Sequence, residues 1–189
     1  GKLSAMPLSK PTSETDPLTQ GQLLEQLDLS QPPAAILEQT LPVLGQQLQC
    51  DRVFIYLRAP RQHVGRVPFC WCRHDDIPLV YDPEWKPEPR WLPRQDPMFA
   101  AALRGKPSLF INDVEMADPK QVNRNFERQT FGHRALIHAH LYQKNRLWGI
   151  LQPCIFDHSR QWTREDRLLI KGVVNWLTPV AAEYVNHDR

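Results

Sequence analysis

Apolar positions recur along the chain with two different periods, and the changes of period mark its elements. Leu23, Leu24 and Leu27 predict one short helix. Leu37, Leu41, Leu44 and Leu48 follow at i, i+4, i+7 and i+11, one face of a helix over 30–49. Ser30 is its expected N-cap, and Pro42 is expected to kink or split it. Strand patterning then takes over. Val53 to Leu57 is β-branched and aromatic, and Val67 to Cys72 reads as the returning arm of a hairpin. The stretch 74–95 reads as one long loop. Asp96-Pro97 opens a short helix to Leu103, Ser108 to Ile111 is a short strand, and Asp118-Pro119 starts a helix ending near Gly132. From Arg134 to Tyr142 the alternation is regular. Ala135, Ile137, Ala139 and Leu141 share one side; Leu136, His138, His140 and Tyr142 share the other. Leu147 to Phe156 is the partner strand, with a bulge or an exposed edge expected at Pro153. Thr163 and Asp166 form a capping box for a last helix to about Val185, which Pro179 is expected to kink.

Hairpins outnumber crossovers in this order, so the predicted class is α+β, an antiparallel sheet of five or six strands. A bundle of helices 30–49 and 163–186 should cover one face, and loops and short helices of 75–131 the other. Residues 1–20, rich in Pro, Ser and Thr, read as a flexible tail, and 21–187 as a single domain.

At 189 residues the chain is long enough to bury its own core. Lys and Arg exceed Asp and Glu by only 23 to 21, which argues against nucleic acid as a partner. No apolar run reaches membrane-spanning length, and no signal-peptide pattern is seen, so the expectation is a cytoplasmic protein with reduced thiols. Six of the 18 prolines fall between Pro78 and Pro97, so that stretch must be irregular or extended.

Candidate chemistry is sparse. Cys70 and Cys72 share a strand face, but thiols spaced i, i+2 on a strand stand about 6–7 Å apart along it, awkward for one metal ion. Structural cysteines, a metal or cluster site, and a redox pair remain as readings of them. His138 and His140 also share a face, with His133 just before, and could line a ligand pocket or hold a metal. Arg124, Arg128 and Arg134 could hold an anionic group or simply form a solvated face. No Gly-rich phosphate loop, metalloprotease motif or nucleophile elbow occurs, so no enzyme is expected. On the last helix, Leu169, Val173, Trp176, Val180 and Tyr184 form one apolar stripe beside a second, more than one sheet face needs. That surplus predicts a homodimer or a protein partner, unless the first helix and the 1–29 segment cover it.

Six segments in order resemble one family. Leu27-Asp28-Leu29-Ser30 and Cys50 to Tyr56 resemble the opening of a GAF domain, closest to those of cyanobacterial phytochromes and cyanobacteriochromes. Asp96-Pro97-Met98-Phe99, Ile111 to Val114, Leu147 to Leu151 and Arg160 to Thr163 are similar to its middle and end. The resemblance implies a sensory or regulatory GAF fold. It also implies bilin anchors, and the matching positions lack them: Val122 and Asn123 stand where the family's Cys-His pair falls, Met98 where a second Cys stands, and Cys154 where a pocket His is expected. Covalent bilin is therefore not expected. A non-covalent tetrapyrrole or other anionic aromatic is the alternative, in a pocket of Leu136, His138, His140, Cys154, Arg124 and Arg128. A cysteine-based redox or cluster sensor is the third reading. The free methionine sulfoxide reductase branch is not matched in its active-site segment.

Overall fold

The computed structural model describes residues 20–189. The expected tail, 1–20, lies outside them apart from Gln20, where the first helix begins. In chain order the elements are α1 (Gln20–Glu25), α2 (Pro33–Leu48), β1 (Arg52–Ala59), β2 (Val64–Cys72), β3 (Asp82–Pro87), α3 (Leu92–Gln95), α4 (Pro97–Leu103), β4 (Leu109–Ile111), a 3-10 turn (Val114–Met116), α5 (Arg124–Thr130), β5 (Ala135–Gln143), β6 (Arg146–Ile155) and α6 (Arg164–Asp188).

The six strands form one sheet in the order β3-β2-β1-β6-β5-β4, every pair antiparallel. Alternation along β5 sorts its side chains as the pattern predicts. Ala135, Ile137, Ala139 and Leu141 join the main core, which Val53, Ile55 and Leu57 of β1 share with α1, α2 and α6. Leu136 faces the other way, into a small cluster with Met98, Ile111, Val114, Val122 and Cys154. The result is the expected α+β arrangement, a helical layer on one face and short helices on the other.

Several expectations are corrected. The 74–95 stretch is not loop throughout: it holds edge strand β3 and helix α3. Pro83 and Pro87 cap the number of ladder bonds β3 can make, which suits an edge. Ser30 does not cap α2; its side chain bonds Asp28 Oδ1, and α2 starts from Pro32 without a side-chain cap. The segment from Asp118 first makes a turn, with Lys120 N–H bonded to Asp118 Oδ1, and the helix begins only at Arg124, capped by Asn123. Pro153 sits at neither an edge nor a bulge. It is buried in a central strand opposite Val53, and the β5–β6 register is the same on either side of it, at Leu136↔Cys154 and Ala139↔Leu151. Both α2 and α6 run on through their internal prolines, and the capping box at Thr163 and Asp166 is present.

The terminal helix corrects the reading of its surplus. Leu169, Val173 and Tyr184 are buried within the chain, among Leu23 of α1 and the leucines of α2, and so are not free to meet a partner. Phe69 packs edge-on against Tyr184 at 6.1 Å. Only Trp176 and Val180 stay half-buried on the outer flank.

Candidate functional site

The sheet face away from the long helices carries a cavity of about 270 Å³. Phe54 and Tyr56 of β1, Ile150 and Gln152 of β6 and His138 of β5 form its floor. Phe99 of α4, Phe126 and Phe131 of the α5 region, and Val80 and Trp91 of the proline-rich segment form its walls. Trp91 meets Phe126 edge-on at 6.3 Å, and Phe54 stacks on Phe131 at 5.7 Å. The lining is mostly aromatic and aliphatic with few polar groups, the usual composition of a small-molecule site.

Asp96 and His138, with Gln152 and Thr130, supply the polar character. Asp96 caps α4 by accepting from the N–H groups of Met98 and Phe99. Burial, then the charge of Glu127, pushes its carboxyl up to about 6 against the pull of those N–H groups. His138 Nδ1 lies 2.8 Å from His140 Nε2, and His140 Nδ1 lies 2.8 Å from the carbonyl of Lys106. The carbonyl can only accept, so His140 carries its proton on Nδ1 and accepts at Nε2 from His138 Nδ1–H. Burial lowers the pKa of both rings, which keeps them neutral. His138 Nε2 is thereby fixed as an acceptor on a ring that lines the cavity.

Two buried ionic groups hold the walls. Arg58 pairs with Glu88 through Nε at 2.8 Å and Nη2 at 2.6 Å, and Tyr56 O–H donates to Glu88 at 2.5 Å. Burial would raise the Glu88 carboxyl, but its bonds to Arg58 outweigh that and hold it below its ordinary value. At the other end, Arg52 donates to the carbonyl of Pro78 at 2.7 Å and to His133 Nε2 at 2.9 Å. An arginine only donates, so His133 Nε2 accepts and its Nδ1–H faces Glu127 Oε1 at 2.7 Å. Burial keeps the His133 pKa low, so a neutral imidazole bridges a cation and a carboxyl. Two arginines of β1 thus clamp the proline-rich segment at Pro78 and Glu88, on either side of Val80.

The residues expected to share one pocket are split among separate places. His138 alone of them lines the cavity. His140 reaches it only through His138 and itself borders a groove with Ser108 and Arg167. Leu136 and Cys154 are fully buried core. Arg124 donates to the carbonyl of Ala117, and Arg128 to Asn125. Both border an outer cleft with Arg94, because α5 turns Phe126 and Thr130 inward and Arg124 and Arg128 outward. Phe54, Tyr56, Asp96, Glu127 and Arg52 were missed as site residues; Arg52, Phe54 and Tyr56 were read only as part of a strand-forming, family-like segment, and Asp96 only as a helix start. Cys70 and Cys72 are half-buried, and no three His, Cys, Asp or Glu gather as a metal site among the described residues.

The GAF domain model matches residues 32–178, and the chain belongs to that family. No curated protein matches it in sequence. Similar solved structures include the phycocyanobilin-bound GAF domain of a cyanobacterial phytochrome, 18% identical, with a TM-score of 0.68 over 91% of this chain and 99% of that one. The GAF domain of an Acinetobacter phosphoenolpyruvate-protein phosphotransferase is 8% identical, with a TM-score of 0.66 over 89% and 94%. A free methionine-R-sulfoxide reductase from Neisseria meningitidis, in complex with its substrate, is 18% identical, with a TM-score of 0.59 over 89% and 86%. At these identities the likeness is one of fold. No described helix is long and apolar enough to cross a membrane.

Proposed function

We propose that this GAF domain is a non-catalytic sensory module that carries no covalent bilin and holds a small aromatic ligand non-covalently in the Phe54–Phe126 cavity. Its output passes to a protein partner or a neighbouring domain. The observation that carries this reading is the cavity lining: rings on three sides, an acceptor at His138, and no cysteine. The positions where the family's anchors would stand, Met98, Val122 and Cys154, pack instead into one buried apolar cluster. The volume also limits the ligand. About 270 Å³ is just below the usual range of small-molecule pockets, roughly 300–1,000 Å³. That favours one or two rings with an N–H or O–H donor over a four-ring tetrapyrrole with two acid chains.

At three of the four cysteines thiolate chemistry is disfavoured. Burial pushes Cys50 up to about 12 and Cys72 up to about 11, and raises Cys154 well above its ordinary value, so none of the three is poised as a thiolate.

The test uses the purified chain and 2-naphthol, two rings with one O–H donor. Saturable binding is expected, lost in Thr130→Trp, which fills the mouth from an exposed position, and weakened about tenfold or more in His138→Phe. Unchanged binding by both variants would overturn the assignment. A chain made in biliverdin-producing cells should keep its bare mass under denaturing conditions; an added bilin mass would refute the non-covalent reading.

A further inference from the structure

A second concave site lies at the far end of the helical layer and shares no residue with the aromatic cavity. It is a cleft of about 510 Å³ between the β1–β2 turn, the β5–β6 turn and the last turns of α6. Its floor is apolar, from Ala59, Ala182 and Val185, all buried. Its rim is cationic: Arg61 comes from the first turn, Lys144 and Arg146 from the second, and Arg189 from beyond α6. No acidic residue lines it. Among the described residues, Arg61, Lys144 and Arg146 form no ion pair. The nearby Asp188 is engaged elsewhere, by Arg66 and the Trp85 indole.

The wall holds one further group. Trp148 is only 9% exposed, and its Nε1–H is buried with no acceptor. A buried indole N–H normally finds one. Trp148 lines the cleft together with Arg61, Lys144 and Arg146, so a residue with an unpaired buried donor stands among three cations that form no ion pair. The carboxyl end of α6 is the opposing influence, equivalent to about half a negative charge. Arg189 lies over the Trp85 ring, 5.4 Å from its centroid, but the three other side-chain cations outweigh the helix end, and a phosphate group at about −1.5 to −2 is attracted on balance.

We infer that this cleft binds a small phosphate-bearing ligand, its phosphate among Arg61, Lys144 and Arg146 and its organic part on Ala182 and Val185. The cations converge from three separate elements onto one concavity. That arrangement suits a compact, multiply charged head better than an extended acidic peptide, which would need its partners spread along a groove or strand edge.

The experiment follows the indole N–H resonances of the ¹⁵N-labelled chain during titration with inorganic pyrophosphate at fixed ionic strength. The Trp148 signal is the one absent from Trp148→Phe. It should move saturably downfield, as an N–H that gains an acceptor does, and Lys144→Glu/Arg146→Glu should weaken binding at least tenfold. Lys144 lies in the exposed β5–β6 turn and Arg146 opens β6 half-exposed beside it, so the double variant keeps the fold and can be read by calorimetry alone if Trp148→Phe does not fold. A static Trp148 signal, a response equalled by sodium chloride, or equal affinity in the double variant would overturn the proposal. So would hexaglutamate binding more tightly than pyrophosphate, which would reassign the cleft to an acidic segment of a protein.

Discussion

Asp96 gives the sharpest test of how the cavity is built, because two of its roles can be separated by one substitution. It caps α4 and it faces the aromatic cavity. A carboxyl with an ordinary value of 3.8 that stands at about 6 holds its proton about a hundredfold more tightly in the folded chain, equivalent to about 3 kcal/mol. The sign follows from which state binds the proton. Between about pH 4 and 6 the unfolded chain has released it while the folded chain keeps it, so stability falls as pH rises through that window. Below pH 4 the penalty is absent, and above about pH 6 it stands in full. Asp96→Asn removes the ionisation while keeping the cap, since Asn and Asp are about equally good at an N-cap. The variant should match the parent to within about 0.5 kcal/mol at pH 4 and exceed it by about 2–3 kcal/mol at pH 8. Urea unfolding followed by circular dichroism at the two pH values reads this difference directly, and other titrating groups cancel in the comparison. An advantage that is equal at both pH values, or a less stable variant at pH 8, would refute the account of Asp96 as a carboxyl desolvated by the cavity and repelled by Glu127.

Arg58→Met leaves Glu88 buried without its cation and should cost about 3–5 kcal/mol in urea unfolding, with faster amide exchange across residues 78–91. Gly45→Ala should lower the melting temperature, by a loss of about 1–3 kcal/mol, because a Cβ there would lie 2.0 Å from the Trp71 ring and force it to move. Of the four cysteines, at most Cys70 and Cys72 should react with a disulfide reagent in the folded chain, and all four in urea, since Cys50 and Cys154 are buried. A third fast thiol in native conditions would contradict that burial.

The parts of the fold that were legible in the sequence are those whose neighbours are local or whose pattern is long. The i, i+4, i+7, i+11 leucines fixed α2 to within a few residues, and nine alternating residues fixed both faces of β5. The strand in the proline-rich stretch was not legible. Asp82–Pro87 has two prolines and no alternation, and it becomes a strand because its other ties are distant: Glu88 to Arg58, and Trp85 to Asp188, 103 positions away. Pro153 misled for a related reason. Proline in a strand usually marks an edge, but here strong ladders on both neighbours carry the strand past one missing N–H.

The candidate site was less legible than the fold, and residue type explains why. His138 and His140 were visible as a pair on one face, yet only the distance between their rings decides that they are a relay with one free acceptor instead of two ligands of a metal. Arg124 and Arg128 were chosen by charge, and a seven-residue helix turned them out while turning Phe126 in. The walls come from Phe54, Tyr56, Phe99 and Phe131, which in sequence look like any core aromatic. What makes them a cavity is a shortfall of volume where α4, α5 and the proline-rich segment meet the sheet. The two β1 arginines hold that segment at Pro78 and Glu88, and between these anchors only Val80 dips to the cavity while Leu79 and Tyr81 stay exposed. A cover pinned at both ends and thinly packed between them can admit a ligand without unfolding the sheet beneath it, because the long helices and their core lie wholly on the other face.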